Sequence, residues 1–190
     1  MLKRRQLVAI SDLDISRELL AYLECYSDDA VSLSEPVKLL AEEEGFASRR
    51  NFSMHVTVGA LLVRGGTEVL LVDHLAYEIP LQPGGHLEPT DSTLISAAVR
   101  ELVEETGVDP SGLVPASQMP VYVEYGRVPA RPAKDEPEHF HLDFGYSFLT
   151  TQADVGRIQE SEVGGATWYP LSVAERLVGP RIARAMTALT

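Results

Sequence analysis

The sequence predicts an α/β (α+β) protein in which helices pack against a mixed β-sheet. Two segments rich in Val and Leu, residues 52–63 and 67–75, are joined by "RGG" and form a predicted hairpin. A helical pattern over residues 93–106 follows, and further extended segments come after it. Strands on both sides of a helix, together with a hairpin, favour a mixed sheet flanked by helices.

The first 50 residues predict a helical extension, which precedes a main domain over residues 51–190. We expect this extension to pack on the main domain or on a second subunit, so a homodimer remains open. In "SDLDISRELLAYLECY" the pattern predicts one broad apolar face. That face contains Leu13, Leu19, Leu20 and Leu23.

Composition limits the classes of function. The formal net charge of −12 argues against DNA or RNA as a partner, because a polymeric phosphate backbone requires clustered Lys and Arg. No apolar run approaches the roughly 20 residues that span a bilayer, so we expect no membrane partner. Cys25 is the only cysteine, which excludes internal disulfides, fits a cytoplasmic protein and is expected to be buried as an apolar residue.

The segments after the central helix complete the predicted sheet. Residues 119–128 and 139–150 are interpreted as strands, separated by the Pro-rich loop "PARPAKDEPEH". "GATWYPL" is interpreted as a short strand, and residues 172–189 as closing helix.

The helix over residues 93–106 carries an unusual charge pattern. Asp91 or Ser92 is the predicted N-cap, and Gly107 follows the last turn. One face is apolar and contains Leu94, Ala97, Ala98, Leu102 and, more loosely, Ile95. The i, i+3, i+4 spacing brings the carboxylates of Glu101, Glu104 and Glu105 together at the end of the helix.

This arrangement destabilises the helix twice, through mutual repulsion and through the helix dipole, which disfavours anions at a C-terminus. A hard divalent cation, Mg²⁺ or Mn²⁺, reverses both effects. "RELVEETG" alone is also typical of a solvated helix end. The preceding "PGGHLE" favours a site, because a glycine pair lets the backbone approach a ligand closely.

These residues resemble the signature of the Nudix hydrolases. That signature is a Gly, five residues, a Glu, seven residues, then Arg-Glu-aliphatic-x-Glu-Glu-x-Gly-aliphatic. Gly85 matches its first position, and the second half is matched throughout "RELVEETGV". One departure lies between them: Asp91 occupies the position of the first signature Glu, and eight rather than seven residues separate it from Arg100.

The resemblance implies an α/β/α sandwich over about residue 52 to the C-terminus. It implies that Glu101, Glu104 and Glu105 ligate Mg²⁺ or Mn²⁺, that the Gly84 carbonyl is a further ligand, and that Arg100 holds the carboxylates in place. The implied reaction is hydrolysis by water of a nucleoside diphosphate linked to another moiety X. The implied partner is therefore a small molecule that contains a diphosphate.

A second polar group lies in "HFHLDF", where His139, His141 and Asp143 share one face of a strand. They are candidates for ligating a further ion, contacting phosphate or supplying a general base; the alternative is an exposed polar strand. We assign His139 and His141, with Arg127 and Arg131 of the loop region, to substrate binding. Asp143 is the candidate catalytic base, with Glu160 and Glu162 as alternatives. His55 is interpreted as structural, and His86 is left open.

Two other functions remain open at this point. One is a catalytically silent Nudix module that binds a nucleotide or regulates a partner, which the altered loop with Asp91 leaves possible. The other is a diphosphate isomerase, which resembles this scaffold but uses a cysteine in the site. The only cysteine here precedes the matching region, which disfavours the isomerase.

Overall fold

An eight-stranded mixed β-sheet forms the centre of the protein. The structure is a computed structural model and describes residues 10–75, 79–132, 135–152, 154–159, 161 and 163–187. The strands are β1 (His55–Arg64), β2 (Glu68–His74), β3 (Ile79–Leu81), β4 (Gly84–His86), β5 (Val114–Pro115), β6 (Tyr122–Val128), β7 (His139–Thr150) and β8 (Val163–Pro170).

Five α-helices surround this sheet within the described ranges. They are α1 (Asp12–Cys25), α2 (Ser34–Leu40), α3 (Leu94–Thr106), α4 (Leu171–Val178) and α5 (Arg181–Thr187). None of them is both long enough and apolar enough to cross a membrane.

Strand β1 organises the sheet. It pairs in parallel with β7 along its whole length, from His55 opposite His141 to Arg64 opposite Thr150. On its other side it pairs antiparallel with β4 near its start and with β2 at its end, across the predicted "RGG" turn. The start of β1 therefore lies between β4 and β7, where the polar residues of both strands meet.

The two faces of the sheet have separate apolar cores, because alternate residues of β1 point to opposite sides. Val56 and Val58 lie in a core with Ala98 and Leu102 of α3 and with residues of α1 and α2. Leu61 lies in the other core. That second core also contains Val63, Ala174, Ile182 and Ala185, so α4 and α5 cover this face and complete the α/β/α sandwich.

The apolar face predicted for α1 is wrong in part. The buried apolar residues are Ile15, Leu19 and Tyr22, whereas Leu13 is 52% and Leu20 is 49% exposed. At about 100° per residue, Leu13 lies about 200° away from Ile15 and so faces solvent. The buried stripe packs into the same core as β1, so the N-terminal helices pack on the main domain.

The burial predicted for Cys25 is also wrong, because this residue ends α1 outside the buried stripe and is exposed. Helix α3 begins one residue later than predicted, at Leu94. Its N-cap is Thr93, whose hydroxyl accepts a hydrogen bond from the Ser96 amide while the Ser96 hydroxyl accepts one from the Thr93 amide. Neither Asp91 nor Ser92 is the cap, and the Asp91 carboxylate is bound to Arg100 instead.

Candidate active site and adjoining histidine cluster

Arg100 lies at the centre of the acidic end of α3. Its Nη1 donates to Glu101 Oε1 and to Glu104 Oε2, each at 2.9 Å. Its Nη2 also donates to the backbone carbonyl of His86 at 2.9 Å. The guanidinium thus connects two of the predicted carboxylates to strand β4.

Asp91 completes the shell of Arg100. Its two carboxylate oxygens accept from Arg100 Nε at 3.0 Å and Nη2 at 2.9 Å, a two-pronged pairing that matches the planar guanidinium. The same carboxylate accepts from the Glu88 amide at 2.7 Å, which folds the loop between β4 and α3. The longer loop therefore brings the shorter Asp side chain to Arg100.

The glycines of β4 let the strand lie against the carboxylates. The Gly84 amide donates to Glu105 Oε2 at 3.0 Å. A Cβ atom on Gly85 would lie only 2.5 Å from the Glu101 carboxyl carbon, so any larger residue would displace Glu101 or the strand. The Gly84 carbonyl as a metal ligand stays a prediction.

The charges of this acidic cluster, Asp91, Arg100, Glu101, Glu104 and Glu105, do not balance. Four carboxylates and one guanidinium sum to −3, although Glu101 is 8% and Glu105 only 1% exposed. Burial lowers the pKa of Arg100, but its hydrogen bond to Asp91 and the charge of Glu101 raise it more, so this side chain stays charged. Oxygen donors with excess negative charge suit a hard divalent cation such as Mg²⁺.

Two cavities adjoin at strand β4. One, of about 710 Å³, is lined by Arg100, Glu101 and Glu104 and is named the acidic cavity. The other, of about 660 Å³, is lined by His139 and His141 and is named the histidine cavity. Arg49, Gly85 and His86 line both of them.

Four histidines form a cluster at the start of β1. The centroid of the His55 imidazole ring lies 4.5 Å from that of His141 and 4.8 Å from that of His139. The ring of His86 lies 5.1 Å from that of His55. Because His139 is only 3% exposed, the alternative of an exposed polar strand is wrong for that residue.

Three histidines of the cluster, His55, His86 and His141, favour the neutral form. Burial, followed by the nearby His55, lowers the pKa of His141 to about 3. Burial, followed by the charge of Arg49, lowers the pKa of His86 to about 4. Burial also lowers the pKa of His55. At neutral pH these rings therefore present lone pairs rather than positive charge.

Sequence reasoning missed His55 and His86 as members of this cluster. They lie on other strands, and only the parallel pairing of β1 with β7 and the antiparallel pairing with β4 brings them to His141. The signal available in the sequence was the alternation of His55 and Thr57 on a predicted strand. Reasoning also missed Arg49 and Arg50, which line the acidic cavity from the N-terminal region.

Asp143 lines the histidine cavity rather than the acidic one. Its oxygens accept from the Thr57 hydroxyl at 2.8 Å and from the Tyr122 hydroxyl at 3.0 Å. Burial raises the pKa of Asp143, against the lowering effect of these two hydrogen bonds. A raised pKa makes a carboxylate a stronger proton acceptor, as a general base requires. For Asp143 to act on a substrate at the acidic cluster, the substrate would have to extend into the histidine cavity.

The predicted substrate-binding arginines also line the histidine cavity. Arg127 pairs with Glu138, with 3.2 Å between Nη1 and Oε2, and the backbone of Arg131 bridges to Glu136. The alternative bases Glu160 and Glu162 lie outside the described residues.

Comparisons with known proteins agree with this architecture. The family model of the NUDIX domain matches residues 53–189. No curated protein matches the chain.

Three solved structures share the fold. An Ap4A hydrolase from C. elegans in a binary complex has a TM-score of 0.56 at 18% identity, over 70% of this chain and 96% of that one. A NUDIX family hydrolase from Clostridium perfringens has a TM-score of 0.54 at 22% identity, over 71% and 95%. The MutT protein from Methanosarcina mazei Go1 has a TM-score of 0.52 at 20% identity, over 72% and 91%. The family match extends over most of the chain, and the protein therefore belongs to the Nudix hydrolases, enzymes that act on diphosphate bonds.

Proposed function

We propose that the protein hydrolyses a nucleoside diphosphate linked to a further moiety X, and that it requires Mg²⁺ or Mn²⁺. The observation that carries this proposal is the acidic cluster, in which three carboxylates pair with a single guanidinium and a fourth, that of Glu105, accepts from the Gly84 amide. This excess negative charge would repel an anionic substrate unless a cation lies between them. A silent binding module would have no need for such a cluster.

Glu101, Glu104 and Glu105 would hold the divalent ions, with the Gly84 carbonyl as a further ligand. A bound ion would offset the charge of the diphosphate and lower the pKa of the attacking water. Arg100 positions the carboxylates through its contacts to Glu101 and Glu104, while Asp91 holds Arg100 in turn.

The rest of the substrate would extend from the acidic cavity into the histidine cavity. Arg49 lines both cavities and is suited to a phosphate at their junction. His139, His141, Arg127 and Arg131 line the histidine cavity, and we assign them to binding the part of the substrate that lies there.

Asp143 is our candidate for the general base. Its pKa is raised by burial, which makes it a better proton acceptor than an ordinary carboxylate. Asp143→Asn tests the assignment: a general base contributes about 10²- to 10⁴-fold to the rate, so kcat should fall by at least about a hundredfold. A kcat that stays within threefold, with a change in KM alone, would remove Asp143 from the chemistry.

The function is tested by a substrate screen with the purified chain and Mg²⁺ or Mn²⁺. The panel contains nucleoside triphosphates, dinucleoside polyphosphates, nucleotide sugars, ADP-ribose and NADH. We expect turnover of at least one compound, its loss on removal of metal by a chelator and its loss in Glu104→Gln. Glu175→Gln makes the same change at an exposed position of α4 and should leave turnover intact. Failure to hydrolyse any compound, or equal turnover by Glu104→Gln, would contradict the proposal.

A further inference from the structure

Three of the clustered histidines have the placement of metal ligands. One ligand nitrogen from each of His55, His139 and His141 lies within 4.8 Å of the other two. The Nε2 atoms of His139 and His141 are 3.0 Å apart and share a hydrogen bond, whose proton would be displaced when both nitrogens bind one ion. At Zn–N distances of about 2.0–2.1 Å, two nitrogens of a tetrahedral site lie about 3.4 Å apart, so small side-chain rotations bring this set to one ion.

The backbone fixes which nitrogen of two rings carries the proton. The Nδ1 of His55 lies 3.0 Å from the Asn51 carbonyl, and the Nδ1 of His139 lies 2.7 Å from the Pro137 carbonyl. A carbonyl oxygen only accepts, so each Nδ1 donates and each Nε2 of the neutral ring keeps its lone pair. Metal-ligating histidines are oriented by this kind of hydrogen bond on the opposite nitrogen.

His55 provides an independent indication of a ligand. The residue is only 2% exposed, yet its Nε2 has no hydrogen-bond partner among the described residues. Buried polar atoms without a partner are rare in native proteins and call for an explanation such as an ion. A metal ion bound to this lone pair supplies the missing partner.

We propose that His55, His139 and His141 form a second metal site, for a transition metal ion of the Zn²⁺ type, in the wall of the histidine cavity. Three imidazoles without a thiolate are the ligands of Zn²⁺ and its neighbours Co²⁺ and Ni²⁺, not of Mg²⁺. His139 and His141 line the cavity, so the fourth coordination position faces it, next to His86. This position is open to water or to an oxygen of a phosphate.

The proposal does not rest on the proposed function, since it uses nitrogen donors outside the acidic cluster. Loss of the acidic cluster should therefore leave the metal site formed by the histidines intact. Glu104→Gln is predicted to lose hydrolysis and to retain the Zn²⁺ site, which separates failure of one proposal from failure of the other.

The test is a calorimetric titration of the metal-stripped full chain with Zn²⁺, with Co²⁺ absorption as a spectroscopic check. We expect the wild type to bind one Zn²⁺ tightly and to give the intense visible bands of a tetrahedral Co²⁺ site. His141→Gln should weaken Zn²⁺ binding by more than about a hundredfold, because loss of a ligand exceeds the 10- to 100-fold cost of losing an outer partner. His74→Gln removes the one histidine outside the cluster and is the matched control.

Folding is checked separately, because His55 and His139 are buried. His141 is more exposed, so His141→Gln should keep the far-ultraviolet circular dichroism of the wild type. The proposal is overturned if the wild type and the folded His141→Gln variant bind Zn²⁺ equally, or if His74→Gln loses binding to the same extent. It is also overturned if the wild type binds no Zn²⁺.

Discussion

The acidic cluster and the histidine cluster adjoin across β4 but are built in different ways. The carboxylates of Glu101, Glu104 and Glu105 belong to one helix turn, and a cation, Arg100, already lies among them. The histidines come from three strands, and burial is the main cause that lowers the pKa of His86 and of His141. The first cluster offers charged oxygens and the second offers neutral nitrogens, so the two should prefer different ions.

The largest effect is expected from removing a buried carboxylate of the acidic cluster. Glu105→Gln replaces a side chain that is 1% exposed and accepts from the Gly84 amide. Loss of a metal ligand should lower kcat/KM for any substrate found by more than about a hundredfold, beyond the usual cost of an outer partner. Steady-state kinetics in Mg²⁺ measure this, and Zn²⁺ binding should not change. A variant as active as Glu175→Gln would contradict the role of Glu105 in the acidic cluster.

Asp91→Asn should have a smaller effect on the same cluster. The amide retains the shape of Asp91 but loses the negative charge that pairs with Arg100 through two contacts. Outer partners of metal ligands typically contribute 10- to 100-fold to affinity, so the apparent Kd for Mn²⁺ should rise by about that factor. Paramagnetic titration with Mn²⁺ measures it. An unchanged Kd would mean that Arg100 does not need Asp91 to hold the carboxylates.

Gly85→Ala tests the close packing between β4 and α3. Its Cβ would lie 2.5 Å from the Glu101 carboxyl carbon, so Glu101 or the strand must move. Overpacking of this kind lowers the free energy of unfolding by about 1–3 kcal/mol. Gly126→Ala on β6 is the control, because its Cβ would meet nothing within 4 Å. Urea unfolding of both variants measures the difference. Equal free energies of unfolding for Gly85→Ala and Gly126→Ala would contradict the close packing of Gly85 against Glu101.

The ion pair between Asp29 and Arg184 belongs to neither cluster and serves as a comparison for a charge that stabilises the fold. The hydrogen bond from Arg184 is the main cause that lowers the pKa of Asp29. Because the folded pKa is lowered, the pair stabilises the fold above the unfolded pKa of about 3.9, and this contribution disappears as pH falls through the folded value.

Asp29→Asn should therefore lower the free energy of unfolding by about 1 kcal/mol at pH 7. At a pH below both the folded and the unfolded pKa of Asp29, the variant should be as stable as the wild type. Thermal unfolding as a function of pH measures this. A difference from the wild type that persists unchanged at acid pH would exclude the ion pair as its cause. Metal binding at both clusters should be unaffected.

Much of the fold was predictable because its signals are local. The i, i+3, i+4 spacing of Glu101, Glu104 and Glu105 follows from helix geometry alone, and the alternation in β7 predicted its two faces. The prediction for α1 was wrong in part, because it grouped the leucines by residue type. The helical period instead places Ile15, Leu19 and Tyr22 on the buried face. The N-cap of α3 was misplaced because Asp91 had a tertiary partner that no local pattern reveals.

Only two of the four clustered histidines, His139 and His141, could be grouped together from the sequence. His139 and His141 are close in the chain, but His55 meets His141 only through a strand pairing that joins residues 86 positions apart. Pairing partners and register depend on the whole sheet, and a single sequence does not specify them. The fixed tautomers of His55 and His139 likewise depend on carbonyls whose positions only the fold determines.

The most direct test of two distinct ion sites is a competition measurement. The stripped protein is loaded with one equivalent of Mn²⁺, and its paramagnetic signal is followed while Zn²⁺ and then Mg²⁺ are added. We predict that one equivalent of Zn²⁺ leaves the bound Mn²⁺ in place, because Zn²⁺ enters the histidine cluster, whereas excess Mg²⁺ releases Mn²⁺ from the acidic cluster. Stoichiometric release of Mn²⁺ by the first equivalent of Zn²⁺ would contradict this account, since both ions would then share one site.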